Sequence, residues 1–234
     1  MIKLRKIIMT VIAITSLSFS AHAFEGFSVG AIYSSADFST TGTETAPGNT
    51  AGTNDIAKVT KGGGAEFGSI FGEYTFAQGT TLGIEYIPGD AEIGKASRTQ
   101  TNSVAAFRGA GEDGGGKLTV SATASDHITF YAEPTYMVNP VFGIYVKGGA
   151  SNVTITPKFT EENDIIQSTY ASQDVWGVMT GIGAKAYYGN WFAKLEYVET
   201  EYGEFAVTST TGDKNTVTAD IDVEATRLAI AYNF

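Results

Sequence analysis

The chain has no cysteine at any of its 234 positions, which excludes a disulfide framework and a thiolate metal site. It has 5 prolines. Beyond its first two dozen residues, no apolar run is long enough to cross a bilayer as a helix. Histidine is nearly absent as well: there are 2 in the chain, and only His127 lies beyond residue 23. Little is left for metal, thiol or histidine chemistry.

Positive charge is scarce, and three of the basic residues stand at the start. Lys3, Arg5 and Lys6 precede an apolar run from Ile7 to Phe19 that closes on Ala21-His22-Ala23. The run is too short for a stable spanning helix. A basic start, an apolar middle and an A-x-A end are the parts of a secretory signal peptide. Residues 1–23 are therefore expected to be removed on export, leaving 24–234 as a single domain. Without them, 12 Lys and Arg stand against 25 Asp and Glu, a net charge of −13. Such a chain repels nucleic acid, so no DNA or RNA partner is expected.

What is abundant is glycine (28), tyrosine (12) and phenylalanine (14), a composition that favours strands over helical bundles. Parity makes them legible, because alternate residues of a strand face opposite sides. Phe27, Val29, Ala31 and Tyr33 share one parity; so do Ile70, Tyr74 and Phe76, and then Leu82, Ile84 and Tyr86. The pattern recurs in Ile128, Phe130, Ala132 and Tyr136, in Phe142, Ile144 and Val146, and in Trp176, Val178, Ile182, Ala184 and Tyr188. It returns in Trp191, Ala193, Leu195 and Tyr197, and last in Leu228, Ile230, Tyr232 and Phe234. That makes eight strands.

The connections alternate in kind. Short breaks fall near 77–79, 138–140 and 189–190, and long polar stretches at about 39–63, 95–117, 157–173 and 203–216. Short turns on one side and long loops on the other describe an all-β, eight-stranded antiparallel transmembrane up-and-down barrel. The weak alternation of KLTVSATASD before His127 allows a hairpin beyond the membrane, and with it ten strands as the other count. Pro134 lies inside a strand, where it cannot donate to the ladder, so a bulge or a local gap is expected there.

The charges decide which face meets lipid. Glu73, Glu85, Glu133, Lys147, Lys185, Lys194, Glu196 and Arg227 all fall on the parity opposite to the apolar set. A Lys or Arg facing lipid at the midplane costs about 2–4 kcal/mol, so these eight must point inward. The lumen of an eight-stranded barrel is just wide enough for side chains to fill. Four carboxylates and four cations there predict a salt-bridged plug rather than an open pore, with Gly83, Gly143, Gly181 and Gly183 leaving room for the long side chains. Outward aromatics sort into two girdles: Phe76, Tyr136, Phe142, Tyr188 and Trp191 by the short turns, and Tyr33, Tyr86, Trp176 and Tyr197 toward the loops.

This ordered set, ending in TRLAIAYNF, resembles the small outer-membrane β-barrel family of OmpA and OmpX type, the porin-like or opacity-type proteins. The resemblance covers residues 24–234. It implies a C-terminal recognition signal for the barrel assembly machinery at Leu228, Ile230, Tyr232 and Phe234, with the last strand closing on the first at Phe24–Phe38. It also implies an outer-membrane location among outer-membrane lipids and lipopolysaccharide. Because the barrel pattern runs to Phe234, the resemblance carries no expectation of a peptidoglycan-binding domain or of a cell-wall tethering role.

Some barrels of this class are lipid-modifying enzymes, but catalytic residues are not evident here. Ser125 and Asp126 are strand neighbours expected on opposite faces, and His127 has inward parity near the loop end, so no triad is expected. GEDGGG at 111–116 lacks both the Walker lysine-serine pair and EF-hand spacing. Neither Asp220 with Asp222 nor Glu161 with Glu162 has a diagnostic metal spacing. The expectation is a non-enzymatic outer-membrane barrel without cofactor or metal. It would support the membrane and make contacts with host, phage or neighbouring cells through its loops. A small passive channel is the competing reading.

Overall fold

A computed structural model describes residues 25–47, 54–99, 117–161, 170–210 and 216–234. Ten strands follow in chain order: β1 (Gly26–Pro47), β2 (Asn54–Thr75), β3 (Thr80–Ile87), β4 (Ala91–Thr99), β5 (Lys117–Asn139), β6 (Phe142–Glu161), β7 (Gln173–Tyr188), β8 (Trp191–Tyr202), β9 (Phe205–Thr208) and β10 (Thr216–Asn233). Eight of them pair in the order β1-β2-β3-β5-β6-β7-β8-β10, and β10 pairs back onto β1. The result is an eight-stranded antiparallel barrel. β4 pairs only with β5 and β9 only with β10, so they extend the outer end without entering the ring.

The strands run further than the alternation indicates. Residues 39–63 read as a loop, yet β1 and β2 stay paired from Phe38 opposite Gly63 to Pro47 opposite Asn54. β4 occupies the start of the stretch at 95–117, β6 continues to Glu161, and β9 lies within 203–216. Thr, Ser and Gly dominate these extensions, and a strand whose exposed face needs no apolar residue shows no hydrophobic period. The 1–23 segment, Phe24, the GEDGGG stretch and Glu162 lie outside the described residues.

Two irregularities in β5 have local causes. At Pro134 the ladder to β6 pairs Ala132 with Gly148 and Thr135 with Tyr145, leaving Glu133 and Pro134 unpaired without a change of register. This is a gap rather than a bulge, and the missing proline N–H accounts for it. A true bulge lies between Ser125 and Ile128, where Asp126 adopts φ 52°. Below it Thr129, Tyr131 and Glu133 are buried; above it Ala122 and Ala124 pack inward. The parity of β5 flips at the bulge, which puts the alternation of KLTVSATASD out of phase with that of the strand below it.

Closure runs from Ser28 opposite Asn233 to Thr45 opposite Thr216. Asn233 Nδ2 donates to Ser28 Oγ at 3.1 Å, and the Phe234 N–H donates to Phe27 O at 2.9 Å. Both sheet edges are thereby removed. The outer wall is apolar and uncovered: Ile182, Leu195, Leu228 and Ile230 are 58–63% exposed. So large a continuous apolar belt matches a bilayer and not water. All nine girdle aromatics named above are exposed on the same face.

Candidate functional site

The inward parity of seven ring strands and the narrow bore bring all eight charged residues together in the lumen, none more than 5% exposed. Lys185 and Lys194 stand directly opposite each other on β7 and β8, a like-charge pair that would repel if left alone. Two carboxylates resolve the clash. Lys194 Nζ lies 2.5 Å from Glu73 Oε2 and 3.0 Å from Glu133 Oε2, while Lys185 Nζ lies 2.8 Å from Glu133 Oε2 and 3.6 Å from Glu73 Oε1. β7 and β2 are opposite each other in the ring, so the Lys185–Glu73 contact crosses the full bore.

The remaining charges extend this cluster toward the outside. Lys147 Nζ bridges Glu133 Oε1 at 3.1 Å and Glu196 Oε1 at 2.9 Å. Arg227 Nη2 pairs with Glu85 Oε1, its Nε lies 3.6 Å from Glu196 Oε2, and Ser69 Oγ donates to Glu85 at 2.6 Å. All eight residues are linked through shared partners. Buried charges persist only when paired in this way.

Two tyrosines complete the cluster, and the parity reading of the charges overlooked them. Glu73, Gly83 and Tyr131 form one row across β2, β3 and β5, and the Tyr131 hydroxyl donates to Glu73 Oε2 at 2.8 Å. Tyr145, Gly183 and Glu196 form the same row across β6, β7 and β8, with Tyr145 donating to Glu196 Oε1 at 2.7 Å. In each row a ring lies over a glycine to reach a carboxylate two strands away. The available signal was Tyr131-x-Glu133 and Tyr145-x-Lys147, tyrosines two residues from a lumenal charge.

The glycines make room for tyrosine rings as well as lying beside the lysines. A Cβ on Gly83 would sit 2.3 Å from Tyr131 Cζ, and one on Gly183 would sit 2.4 Å from Tyr145 Cζ. At Gly181 it would meet Val198 and at Gly143 Met137, and these two glycines stand opposite Lys147 and Lys185 in the β6–β7 ladder. The rings serve the charges indirectly. Lys147 Nζ is 4.0 Å from the Tyr131 ring centre and Lys194 Nζ 4.8 Å from that of Phe71, within cation–π range.

Apolar layers close the lumen on both sides of the charges. Ile32, Phe71, Tyr187, Phe192, Ala229 and Ala231 pack toward the short turns. Toward the loops lie Ala36, Met179, Val198 and Ala225. Above those, Val153, Ile155, Val175, Phe205, Val207 and Ile221 form an outer core. Part of this core comes from the 203–216 stretch read as a loop. Between the ionic cluster and the outer core, a cavity of about 50 Å³ is bordered by Ser34, Glu85, His127, Thr129 and Arg227.

His127 Nε2 shares a 2.6 Å hydrogen bond with the Tyr202 hydroxyl, reaching from β5 to β8 across the lumen. The expected opposition of Ser125 and Asp126 fails at the bulge, because Ser125 Oγ donates to Asp126 Oδ2 at 3.4 Å. His127 takes no part in that contact. Among the described residues no group of three or more His, Asp or Glu is arranged to hold a metal. At the far end of β10, Leu228, Ile230 and Phe234 are exposed. Tyr232 packs edge-on against Trp191 and Phe234, at 5.2 and 5.0 Å between ring centres.

No family's sequence model matches the chain, and no curated protein matches it in sequence. Solved structures similar to it include outer-membrane β-barrels. OprG of Pseudomonas aeruginosa is 13% identical with a TM-score of 0.47, over 92% of this chain and 100% of that one. Ail, the attachment invasion locus protein of Yersinia pestis, is 13% identical with a TM-score of 0.36, over 87% and 99%. The outer membrane protease OmpT of Escherichia coli is 10% identical with a TM-score of 0.38, over 88% and 97%. At these identities the likeness concerns the fold.

Proposed function

We propose that this protein is an integral barrel of the outer membrane of a Gram-negative bacterium, with a lumen plugged by its ionic cluster. It stiffens the membrane and presents its outer strands and loops to partners outside the cell. The observation that carries this reading is the eight-charge cluster, almost fully buried, with apolar layers above and below it. An ion following the axis would have to break several buried pairs at once. Lipid and lipopolysaccharide cover the exposed belt, and residues 1–23 act as the export signal.

The passive channel is the second reading, and the cavity beside Arg227 and Glu85 favours it, because it supplies polar space within the bore. Recordings in planar bilayers separate the two. The plugged barrel gives no reproducible conductance steps from folded, purified protein; regular steps that disappear on boiling the sample would overturn the plug.

Leu228, Ile230, Tyr232 and Phe234 are proposed as the address read by the barrel assembly machinery. Deleting Phe234 should reduce heat-modifiable barrel in the outer membrane several-fold while leaving refolding in detergent unchanged. Equal losses in both assays would make the residue structural only. We assign no catalytic step to the chain: among the described residues the His127 side chain hydrogen-bonds Tyr202 and no serine.

A further inference from the structure

A groove of about 780 Å³ crosses the lipid-facing wall, from Tyr136 of one girdle to Tyr197 of the other. Its shape follows from the side chains of two ladder rows. Tyr136, Ile144, Ala184 and Leu195 form the lower row, and Val146, Ile182, Tyr197 and Thr226 the upper one. Ile144, Ile182, Leu195 and Tyr197 stand up from the wall as exposed side chains, whereas Val146 and Ala184 share their outward parity yet are only partly exposed. Pro134, also of outward parity, is buried at the end of the groove, where the β5–β6 ladder has its gap. The lining is almost wholly apolar. From β5 to β10 it extends over four strand spacings, about 19 Å.

One row nearer the loops, the chemistry changes. Thr180, Glu199, Glu224 and Asp37 follow one another across β7, β8, β10 and β1, and Glu201 with Asp222 form the row beyond. Glu66 ends the upper row of the groove itself, past Thr226 and Ser35, and Asp220 lies further out, opposite Thr41. All seven carboxylates have outward parity and are exposed or partly exposed. Among the described side chains, the one cation on the outer face of this flank is Lys58, three rows beyond Asp37 on β2. Tyr197 donates to Glu224 Oε2 at 2.8 Å, and Tyr33 hydrogen-bonds Glu66. The girdle thus holds two of the carboxylates at its own edge.

Charge decides what kind of tail the groove takes. Its apolar floor lies between the girdles, at the depth of acyl chains, and its outer edge meets carboxylates at headgroup level. Lipids with phosphate heads place negative charge beside that row and are repelled by it. A neutral head gains nothing from the row. A cationic head is drawn to it, while the tail beneath fills the groove.

We infer that this groove binds the tail of a single-chain amphiphile with a cationic head, the head seated among Glu199, Glu224 and Asp37. The site is on the outside of the wall, so it stands whether or not the lumen conducts. The test uses the full barrel in phosphatidylcholine nanodiscs with three spin-labelled probes of one tail, headed by trimethylammonium, phosphate or maltose. Electron spin resonance reads the fraction of tail immobilised on the protein. The trimethylammonium probe gives an immobilised component that saturates, and its affinity falls as salt screens the head, on the order of 0.5 M. Glu199→Gln with Glu224→Gln weakens it about fivefold to tenfold, toward the maltose probe. Ala184→Phe fills the floor of the groove and abolishes the immobilised component, and Val146→Phe does the same. Ala31→Phe, on the outer face of β1 away from the groove, leaves it unchanged. Gel heat-modifiability is retained in every variant.

Equal immobilisation of the phosphate-headed probe, with or without magnesium, overturns the cationic head. An immobilised component that survives both Ala184→Phe and Val146→Phe in folded barrels overturns the groove. If none of the three probes is immobilised, the whole proposal falls.

Discussion

Lys194→Met should lower the unfolding free energy of the barrel by about 3–5 kcal/mol, the range found when one member of a buried ion cluster is removed. The loss comes less from the missing attraction than from what remains. Glu73 and Glu133 share this ammonium group at 2.5 and 3.0 Å; without it Glu133 keeps Lys185 and Lys147, but Glu73 is left with Lys185 at 3.6 Å. Urea unfolding in lipid vesicles, followed by tryptophan fluorescence, reads the change. Adding Glu73→Gln to the variant should recover part of the loss, because it withdraws the stranded charge. A loss below about 1 kcal/mol, the size of an exposed pair, would mean that water reaches the cluster and that the lumen is not plugged.

The second large effect belongs to a residue with no side chain. Gly83→Ala places a methyl 2.3 Å from Tyr131 Cζ and 2.5 Å from its hydroxyl oxygen, so the ring must move and release Glu73. Overpacking costs about 1–3 kcal/mol and a hydrogen bond to a charged group about 1.5–3 kcal/mol, for a combined loss of roughly 2.5–6 kcal/mol. The background decides the sign. In Tyr131→Ala barrels the same Gly83→Ala change should be neutral or stabilising by up to about 1 kcal/mol, because a strand glycine carries an entropic penalty.

Gly183→Ala provides the contrast. Its Cβ would meet the Tyr145 ring at 2.4 Å and also the backbone oxygen of Leu195 at 2.8 Å. Removing the Tyr145 ring should therefore not rescue it. Equal rescue at both glycines would count against the row geometry.

The membrane-spanning part was readable because one physical rule governs it: lipid on one side and a charged bore on the other force a period of two. Parity alone placed Glu73, Lys185 and Arg227 inward and Leu195 and Ile230 outward, as the structure has them. The extensions were not readable, since Thr40 through Gly42 and Thr60 through Gly62 carry no hydrophobic contrast to betray a strand. At Asp126 a single left-handed residue reverses parity, which no count of alternation anticipates. The tyrosine rows needed the register between strands, because Tyr131 and Glu73 are 58 residues apart.

The seam between β1 and β10 also sets an order in time. Its side-chain hydrogen bond joins residues 205 apart, Ser28 and Asn233, whereas neighbouring strands such as β7 and β8 meet across a two-residue turn. Hairpins can form within microseconds of one another, but the ring cannot shut until β10 exists and finds β1. Throughout that interval two strand edges and the whole apolar belt stay open, and contacts this distant in sequence form slowly. The finished ring of eight strands has no edge to offer an aggregate; its precursor has two, so the hazardous period in its life is the wait before the last ladder forms.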